Sequence, residues 1–500
     1  MLLLGIFRSE VSSSSHHTME DSKRGIRETF SASNLREDAA KYFQGQRVDH
    51  FDGTSNATWA QRYYVNDTFW KGPNSSSPVF LCVGGEGPAF DESVVVASVH
   101  CNVAVEYLEE TGALMVALQH RYYGCHRDST DSEEWIDCPV TSFAGKSRSE
   151  SLKYLSSRQA LEDLAAFRQH IVDVYELTED NRWISFGGSY PGMLAAWTRL
   201  KYPHLFHGAV SSSAPVRAKV EMVVYNDIVA EAYAVESVGG SKLCAKAIAD
   251  GHAAVGTMLS TQEGRQTLAE EFAVTEGADW LADRKNARAF CGEGVAYFPA
   301  QGNDPASTAP SSNIATICEV MVNETIGDEV DRLAAVARQQ RNAKGKSLYE
   351  ESRADADDLP DFWGWQTCTE FGFYQTCRVG SACFFTQGLD TLDDEESFCE
   401  SEFGISPDLI AENVAQSNTR YGSDHPEGTR VLWVNGEVDP WHGLSVLKTL
   451  SPSMPAIWVP GASHHAWTHP TLPTDQKTVI DARKKIREQV RAWLQGPSRL

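Results

Sequence analysis

Residues 187–192 read GGSYPG and place one serine, Ser189, between a predicted buried strand and a predicted helix. A serine in a tight strand-to-helix turn of small residues is typical of a nucleophile elbow, whose strained turn presents the hydroxyl at the edge of a sheet. The usual pattern is G-x-S-x-G, whereas Pro191 holds the last position here and Gly192 follows it. Taken alone, the motif also fits a plain loop or a phosphate-binding turn at a helix N-terminus.

Partners for such a serine follow two predicted strands near the C-terminus. A weakly acidic hydroxyl needs a base beside it, and the base needs a carboxylate to orient it. Asp439 lies in the segment NGEVDPW, and His464 lies in the segment GASHHAW. The chain order serine, aspartate, histidine, each in a loop after a strand, is that of the α/β-hydrolases. Such loops meet at one edge of a parallel sheet, so Ser189, Asp439 and His464 are predicted to form a catalytic triad.

Both loops also contain rivals for these roles. Glu437 lies two residues before Asp439, and we interpret it as a loop acid. His465 and His469 follow His464 closely. We expect His465 to pack or to hydrogen-bond nearby, and His469 to lie at the surface.

An oxyanion hole for this serine needs two preorganised donors. The backbone N–H of Tyr190, the residue after the serine, is the natural first donor. The second is expected from the loop after an earlier strand, where residues 84–87 read GGEG, and it would come from Gly85 or Glu86. A plain tight turn is the alternative for this segment. Glu86 could also bind a substrate amino terminus, which would favour dipeptidyl cleavage.

These residues need a scaffold that brings three distant loops together. Short apolar runs predict strands, and helical spacing of apolar residues predicts helices between them. The predicted strands are 78–83, 113–118, 182–186, 206–211, 430–434 and 456–459, and the predicted helices include 100–112, 160–175, 193–201, 314–341 and 476–494. Strands that alternate with helices indicate a mostly parallel sheet with helices on both faces, the α/β class.

The alternation of strands and helices is interrupted in the middle of the sequence and resumes near the C-terminus. This interruption divides the chain into parts. We expect a flexible tail or remnant signal region over 1–44 and the first part of an α/β-hydrolase core over 45–215. A mainly helical insertion over 216–424, called the cap below, is followed by the second part of the core over 425–500. The N-terminal segment MLLLGIF is apolar, but it is short for a signal peptide.

Composition excludes several classes of protein. The 500 residues carry a net charge of −24, which gives no general attraction to nucleic acid or to anionic lipid. Hydrophobic residues make up 42% and charged residues 22%, which is ordinary for a globular protein. The sequence has no apolar run of the length that a membrane-spanning helix needs, so no stable membrane insertion is expected.

The cysteines and the glycosylation sequons favour the secretory route. The chain has 11 cysteines, none of them in CxxC spacing, so no zinc site or other metal site is expected. Sequons for N-glycosylation occur at Asn56, Asn66, Asn74 and Asn323. Many cysteines together with clustered sequons indicate an oxidising compartment. A cytosolic protein with free thiols is the alternative.

Six sequence blocks resemble one known family. They are HRYYG at 120–124, GGSY at 187–190, LAAW at 194–197, KYPH at 201–204, WQTCTEFGFYQT at 365–376 and NGEVDPW at 435–441. They are similar to the Pro-X carboxypeptidase family of serine peptidases (S28), which includes dipeptidyl peptidase II and thymus-specific serine protease. The resemblance runs from about residue 48 to the C-terminus and is strongest to the thymus-specific branch. Pro191 and the pair Ala466 and Trp467 depart from the usual pattern.

The resemblance implies a serine exopeptidase that acts on peptides without a metal or an organic cofactor. It maps the triad onto Ser189, Asp439 and His464. It also implies a lysosomal, vacuolar or extracellular location, and a homodimer as a candidate assembly. It implies disulfides joining Cys244 to Cys318 and Cys368 to Cys399, and proximity in sequence suggests Cys377 with Cys383 and Cys125 with Cys138.

The resemblance further implies cleavage after proline. Met193, Trp441 and Trp467 each follow a triad residue closely, so their side chains could form an apolar pocket for the proline ring. Core packing is the alternative for these three residues. An esterase or lipase on the same fold, or an inactive binding homologue, are the rival functions, because a fold alone does not fix the substrate.

Overall fold

The computed structural model describes residues 39–127, 134–309, 311–344 and 360–496. Its strands in chain order are β1 (Lys41–Arg47), β2 (Thr58–Asn66), β3 (Val79–Val83), β4 (Leu114–Leu118), β5 (His126–Arg127), β6 (Trp135–Ile136), β7 (Trp183–Gly188), β8 (Gly208–Ser212), β9 (Lys219–Glu221), β10 (Gly372–Tyr374), β11 (Val431–Gly436) and β12 (Ala456–Val459). Eight of them form one sheet in the order β1-β2-β4-β3-β7-β8-β11-β12. The strands β1 and β2 pair antiparallel, as do β2 and β4, and the remaining neighbours in this sheet pair parallel.

The central strands are continuous apolar runs because both faces of the sheet are covered. Every residue of β3 and of β4 is buried. Successive side chains of a strand point to opposite faces, so Leu81 joins one apolar cluster and Phe80 joins the other. The parallel sheet that the alternation of strands and helices predicts is therefore present.

Helices cover the sheet on both faces. The core helices are α1 (Ser93–Val96), α2 (Asn102–Val105), α3 (Leu108–Thr111), α4 (Arg148–Leu152), α5 (Ser157–Val174), α6 (Tyr190–Lys201) and, after the cap, α16 (Lys477–Gln495). Ile486 and Val490 of α16 pack in the cluster of Phe80, whereas Phe167 of α5 and Leu194 of α6 pack in that of Leu81. Within the described residues, no helix is long and apolar enough to cross a membrane.

The cap lies between β8 and β11 in the chain. Its helices are α7 (Val223–Ala232), α8 (Lys242–Met258), α9 (Gln262–Glu271), α10 (Arg284–Cys291), α11 (Ile314–Met321), α12 (Glu329–Lys344), α13 (Phe362–Gln366), α14 (Leu392–Phe403) and α15 (Pro407–Tyr421). The short strands β9 and β10 pair with each other in parallel. Buried cap side chains such as Ile248 and Leu333 belong to the same apolar cluster as Leu81. The chain therefore has an α/β-hydrolase fold whose helical insertion shares the core of one sheet face.

Two boundaries differ from the sequence expectation. The predicted tail over 1–44 is too long at its C-terminal end, because β1 begins at Lys41 and pairs with β2. The predicted helix over 314–341 is two helices, α11 and α12. Asp328 starts the second one, because its carboxylate accepts from the backbone N–H groups of Val330 and Asp331, at 2.9 and 3.0 Å. Residues 1–38, which hold most of the predicted tail, lie outside the described part of the chain.

Five disulfides join cysteines of the described chain. Four of them are the pairs expected from the sequence, Cys125–Cys138, Cys244–Cys318, Cys368–Cys399 and Cys377–Cys383. The fifth, Cys82–Cys101, was not anticipated and ties β3 to the segment before α2. Cys291 is a buried free thiol, and burial raises its pKa to about 12.

A disulfide that closes a longer loop should stabilise the fold more than one that closes a shorter loop, although the gain grows only slowly with loop length. The Cys244–Cys318 bridge spans 74 residues, and the Cys377–Cys383 bridge spans 6. Replacing both cysteines of the longer loop with serine should cost about 4 kcal/mol, against about 2 kcal/mol for the shorter loop, since a longer loop constrains the unfolded chain more. Urea midpoints of the two double variants check this ranking. A larger loss for the short loop would contradict it.

Candidate active site

Ser189 occupies a strained turn between β7 and α6. Its backbone has φ 65° and ψ −134°, which a residue with a side chain rarely adopts. The backbone N–H of Ser189 donates to the carbonyl of Ser212 at the end of β8, at 2.9 Å. Its side chain is half-buried, so the hydroxyl is held near a surface in a fixed position. Strain of this kind is typical of a nucleophile elbow.

Small residues around Ser189 permit this turn. A Cβ atom on Gly187 would overlap the backbone of Pro191, and one on Gly192 would lie 2.7 Å from the carbonyl oxygen of Ser212. Pro191 itself is tolerated, because it lies in the first turn of α6, where the backbone N–H has no helical acceptor. The departure from the usual elbow pattern therefore has no structural cost.

His464 and Asp439 form a buried pair at the carboxyl end of the same sheet. His464 Nδ1 lies 2.9 Å from Asp439 Oδ1, and both side chains are shielded from solvent. With its Nδ1–H donated to the carboxylate, a neutral imidazole carries its lone pair on Nε2. That Nε2 has no hydrogen-bond partner within the described residues. The histidine is therefore oriented as a base with a free acceptor atom.

The rival residues have other partners. Glu437 accepts from the backbone N–H of Gly461 at 2.7 Å, so its carboxylate holds the start of the histidine loop. His465 has a left-handed backbone with φ 39°, and its backbone N–H donates to Ser213 Oγ at 2.8 Å. Its ring packs against the elbow, since a Cβ atom on Gly188 would lie 2.8 Å from it. The histidine loop and the serine loop are therefore in direct contact.

The third histidine lies deeper than expected. His469 is half-buried rather than at the surface, and its ring centroid is 5.6 Å from that of His465. The ring of His465 is in turn 4.6 Å from that of His464. His469 thus belongs to the packed surroundings of the pair formed by His464 and Asp439.

The expected oxyanion donors lie around the elbow. Tyr190 is the first residue of α6, so its backbone N–H is one of those without an intrahelical acceptor. Gly85 follows β3 and contacts Pro191 so closely that a Cβ atom there would overlap the proline ring. Glu86 comes next, and its carboxylate acts electrostatically on the buried hydroxyl of Tyr190. The loop of Gly85 and Glu86 therefore borders the nucleophile turn.

The Tyr190 side chain is anchored by both the core and the cap. Gln366 of the cap donates through Nε2 to Tyr190 Oη at 3.0 Å, and His120 Nε2 lies 3.0 Å from the same oxygen. Because His120 donates its Nδ1–H to the Arg121 carbonyl at 2.7 Å, its Nε2 accepts from the tyrosine hydroxyl. Burial lowers the pKa of His120 to about 4, so it stays a neutral acceptor at higher pH.

A buried carboxylate continues this network into the cap. Gln366 Nε2 also lies 3.1 Å from Glu370, which accepts from the backbone N–H of Ser157 at the start of α5. Burial raises the pKa of Glu370. Ser157 Oγ is 2.9 Å from the hydroxyl of Tyr421. Through Gln366, these hydrogen bonds hold Tyr190, the residue that follows Ser189, in a fixed position relative to the cap.

Of the three expected pocket residues, only Trp441 borders a cleft. The wall of this cleft includes Trp441, Trp363, Phe373, Asp361 and Glu293. The Trp441 ring centroid lies 6.4 Å from that of His464, so this wall adjoins the histidine.

Met193 and Trp467 do not form this wall, contrary to the prediction. Both are fully buried, Met193 in the cluster of Leu81 and Trp467 in that of Phe80. The indole Nε1 of Trp467 donates to Ser212 Oγ at 2.9 Å. Met193 and Trp467 are close in sequence to Ser189 and His464, but this closeness did not predict where their side chains point. The first turn of α6 and the turn at residues 466–468 direct them into the core.

Asp361 at the cleft should make stability depend on pH. Its carboxylate accepts from the backbone N–H of Gly364 at 2.7 Å, and burial raises its pKa to about 6. The folded state therefore binds a proton more tightly than the unfolded state, and this group's contribution to stability rises as pH falls from about 7 to about 4. Asp361→Asn keeps the acceptor and stays neutral.

The variant should therefore gain about 1–3 kcal/mol over the wild type at pH 7.5, and less at pH 5, since each unit of pKa shift corresponds to about 1.4 kcal/mol. Thermal unfolding of both proteins at the two pH values measures this. An equal difference in stability at both pH values would contradict the assignment.

Several residues at the site were not singled out as site residues by the sequence. His120 and Gln366 lie in segments that carry the family resemblance, HRYYG and WQTC, which was the available signal. Gln301, which contacts His464 and Trp441, lies in a cap loop that has no motif. Within the described residues, no group of three or more His, Cys, Asp or Glu side chains is placed to hold a metal ion.

Comparison with known proteins finds relatives over most of the chain. The family model for serine carboxypeptidase S28 matches residues 46–486. Thymus-specific serine protease of Mus musculus is 35% identical over 90% of this chain and 86% of its own, and the Homo sapiens protein of that name is 32% identical over 90% and 85%. Lysosomal Pro-X carboxypeptidase of Bos taurus is 25% identical over 91% and 87%.

Proposed function

We propose that this chain, which belongs to the serine carboxypeptidase S28 family of serine peptidases, is an exopeptidase that cleaves peptides after proline near a chain end. The observation that carries the proposal is the buried His464–Asp439 pair, whose Nε2 is unoccupied within the described residues and whose loop contacts the strained turn of Ser189. The rest of the mechanism follows from the direction of these hydrogen bonds.

In the first half of the proposed reaction, Ser189 Oγ attacks the scissile carbonyl carbon. His464 Nε2 takes the hydroxyl proton, and Asp439 stabilises the imidazolium that forms. The carbonyl oxygen becomes an oxyanion, which the backbone N–H of Tyr190 and a donor from Gly85 or Glu86 would stabilise. His464 then gives the proton to the leaving amine, and an acyl-enzyme remains.

In the second half, water replaces the leaving amine. His464 Nε2 removes a proton from this water, which attacks the acyl carbon and forms a second oxyanion in the same hole. When that intermediate collapses, Ser189 Oγ takes the proton back and the free acid is released. Ser189, Asp439 and His464 therefore suffice for the bond changes.

Aromatic residues at the cleft support the proposed preference for proline. Trp441, Trp363 and Phe373 line it, and the Trp441 ring centroid lies 6.4 Å from that of His464. Proline is compact and rigid, so flat aromatic walls can bury its ring at little cost in conformational entropy. One of the relatives is named a Pro-X carboxypeptidase, which points in the same direction.

The preference should appear as a difference in kcat/KM. Matched peptides with Pro, Ala or Leu on the acyl side of the cleaved bond should differ by about tenfold or more in favour of Pro, because a shaped apolar pocket discriminates by about 1–3 kcal/mol. Trp363→Ala should reduce this ratio. Trp458→Ala, an exposed tryptophan on β12, is the control. Equal rates for the three peptides would remove the proline claim and leave the serine mechanism intact.

The same assay distinguishes the rival functions. Mass spectrometry of products from proline-containing peptides shows which chain end is shortened, and so separates carboxypeptidase from dipeptidyl peptidase action. An enzyme that hydrolyses simple esters but no peptide would be an esterase on the same fold. A protein that cleaves neither would be an inactive binding homologue.

We also propose a location on the secretory route, in the lysosome, in a vacuole or outside the cell. The five disulfides fit an oxidising compartment, and one relative is a lysosomal enzyme. Asn56, Asn74 and Asn323 are exposed, as glycan acceptors must be. Asn66 is half-buried, and its Nδ2, the atom that a glycan would modify, donates to the Val95 carbonyl at 2.9 Å. We therefore expect glycans at the three exposed sites.

A further inference from the structure

Gln301 contacts both loops of the proposed triad from the cap side. It lies between α10 and α11, and only 6% of it is exposed. Its backbone carbonyl accepts from the backbone N–H of His464 at 3.1 Å. Its side-chain Oε1 accepts from the indole Nε1 of Trp441 at 2.9 Å and from the hydroxyl of Tyr225 at 2.7 Å. An amide oxygen can accept two hydrogen bonds, so both lone pairs are used.

These bonds close a ring through the two triad loops. The backbone N–H of Trp441 donates to Asp439 Oδ1 at 3.0 Å, and the same oxygen lies 2.9 Å from His464 Nδ1. Starting from Gln301, the ring thus passes through His464, Asp439 and Trp441 and returns to Gln301. Each residue in it is nearly or fully buried. Moving one loop relative to the other would therefore break at least one bond of the ring.

The loop that carries Gln301 is itself fixed. The backbone N–H of Asn303 donates to the carbonyl of Ala300 at 3.3 Å, and Asn303 Oδ1 accepts from the backbone N–H of Ile314 at the start of α11. Tyr225 belongs to α7, a second cap element. The Trp441 ring also packs edge-on against Tyr225, with ring centroids 5.3 Å apart. The cap therefore presents Gln301 from a rigid frame.

We propose that Gln301 is a positioning residue, through which the docked cap holds the His464 loop and the Asp439 loop in their catalytic register. This inference rests on the proposed triad mechanism and adds a role for the cap beyond enclosing the cleft. A misplacement of reacting groups by about 1 Å can cost about a hundredfold in rate, so a fixed relative position of the His464 loop and the Asp439 loop favours catalysis. Gln301 acts through His464 and Trp441 and need not touch the substrate.

Gln301→Met tests the proposal, because methionine has a similar length and no strong acceptor. The expected result is a fall in kcat of about 10–100-fold, with any rise in KM smaller than the fall in kcat, because Trp441 also lines the cleft. The rate of inactivation by a small fluorophosphonate should fall in parallel, because that reagent needs the triad and not the peptide cleft.

Asn226→Ala is the matched control, since it removes buried hydrogen bonds from the cap helix α7 to the carbonyls of Gln375 and Thr376 and leaves the ring through Gln301 in place. It should lower the melting temperature and retain kcat within about threefold. A Gln301→Met enzyme with wild-type kcat would overturn the proposal. So would an Asn226→Ala enzyme whose kcat falls as far as that of Gln301→Met.

If Gln301→Met does not fold, a second variant still tests the proposal. Tyr225→Phe removes one donor to the Gln301 amide and keeps the aromatic ring. It should lower kcat several-fold, and an unchanged kcat would overturn the proposal. Labelling with the fluorophosphonate distinguishes failure of the role proposed for Gln301 from failure of the triad mechanism on which that role rests. Wild-type protein that does not react shows that the triad mechanism has failed, whereas equal reaction of wild type and variant overturns the role of Gln301 alone.

Discussion

Ser189→Ala should abolish peptidase activity while the fold stays intact. The substitution removes one hydroxyl oxygen from a half-buried side chain and leaves the backbone bond from Ser189 to Ser212 in place. Without the nucleophile no acyl-enzyme can form, and removal of a triad nucleophile typically costs about 10⁶-fold in kcat. Steady-state hydrolysis of a proline-containing peptide measures this, with circular dichroism and melting temperature to verify the fold.

Ser185→Ala is the matched control in β7, the strand that leads to Ser189. Its hydroxyl donates to the carbonyl of Ala195 at 3.0 Å and lies inside the core, so its loss should affect stability rather than the reaction. If Ser189→Ala keeps more than about a hundredth of the wild-type kcat, Ser189 is not the nucleophile.

Asp439→Asn is expected to have the second largest effect. The carboxylate oxygen that accepts from His464 Nδ1 also accepts from the backbone N–H of Trp441, and the side chain is fully buried. Asparagine preserves the shape but removes the negative charge that stabilises the imidazolium, and its amide can select the wrong histidine tautomer. We expect kcat to fall about 10⁴-fold with little change in KM.

Glu437→Gln separates this effect from a general disturbance of the loop. Glu437 lies two residues earlier and accepts from Gly461 N, a bond that glutamine can keep. This variant should retain kcat within a few-fold of the wild type. A larger loss of kcat in Glu437→Gln than in Asp439→Asn would show that Glu437, and not Asp439, is the acid that orients the histidine.

The fold was predictable because its determinants are local. Runs such as 79–83 and 114–118 are wholly apolar and short, as is typical of strands buried on both faces of a parallel sheet. Membership of the S28 family was likewise predictable from short blocks, and the family model confirms it. The break between α11 and α12 was missed, because Gly327 and Asp328 in a polar stretch give a weak signal against continuous helical spacing.

The site was predictable only where chain order carries information. Ser189, Asp439 and His464 each follow a strand, so topology predicts that they lie at one edge of the sheet. The structure pairs His464 with Asp439 and packs His465 against Gly188, next to Ser189. The orientation of a side chain does not follow from topology in this way. The sequence analysis predicted that Met193 and Trp467 line a pocket, and both lie in the core. The contacts of Gln301 and Gln366 depend on how the cap docks, and long-range docking leaves no periodic signal in the sequence.

Active-site labelling tests the central claim most directly. The native protein should react with a fluorophosphonate at one residue, and peptide mapping by mass spectrometry should find the label on the peptide that carries Ser189. Ser189→Ala should take up no label. Denatured protein should also remain unlabelled, because the reactivity depends on the folded arrangement of His464 and Asp439. A folded protein that stays unlabelled, or one labelled at a different serine, would contradict the proposed mechanism.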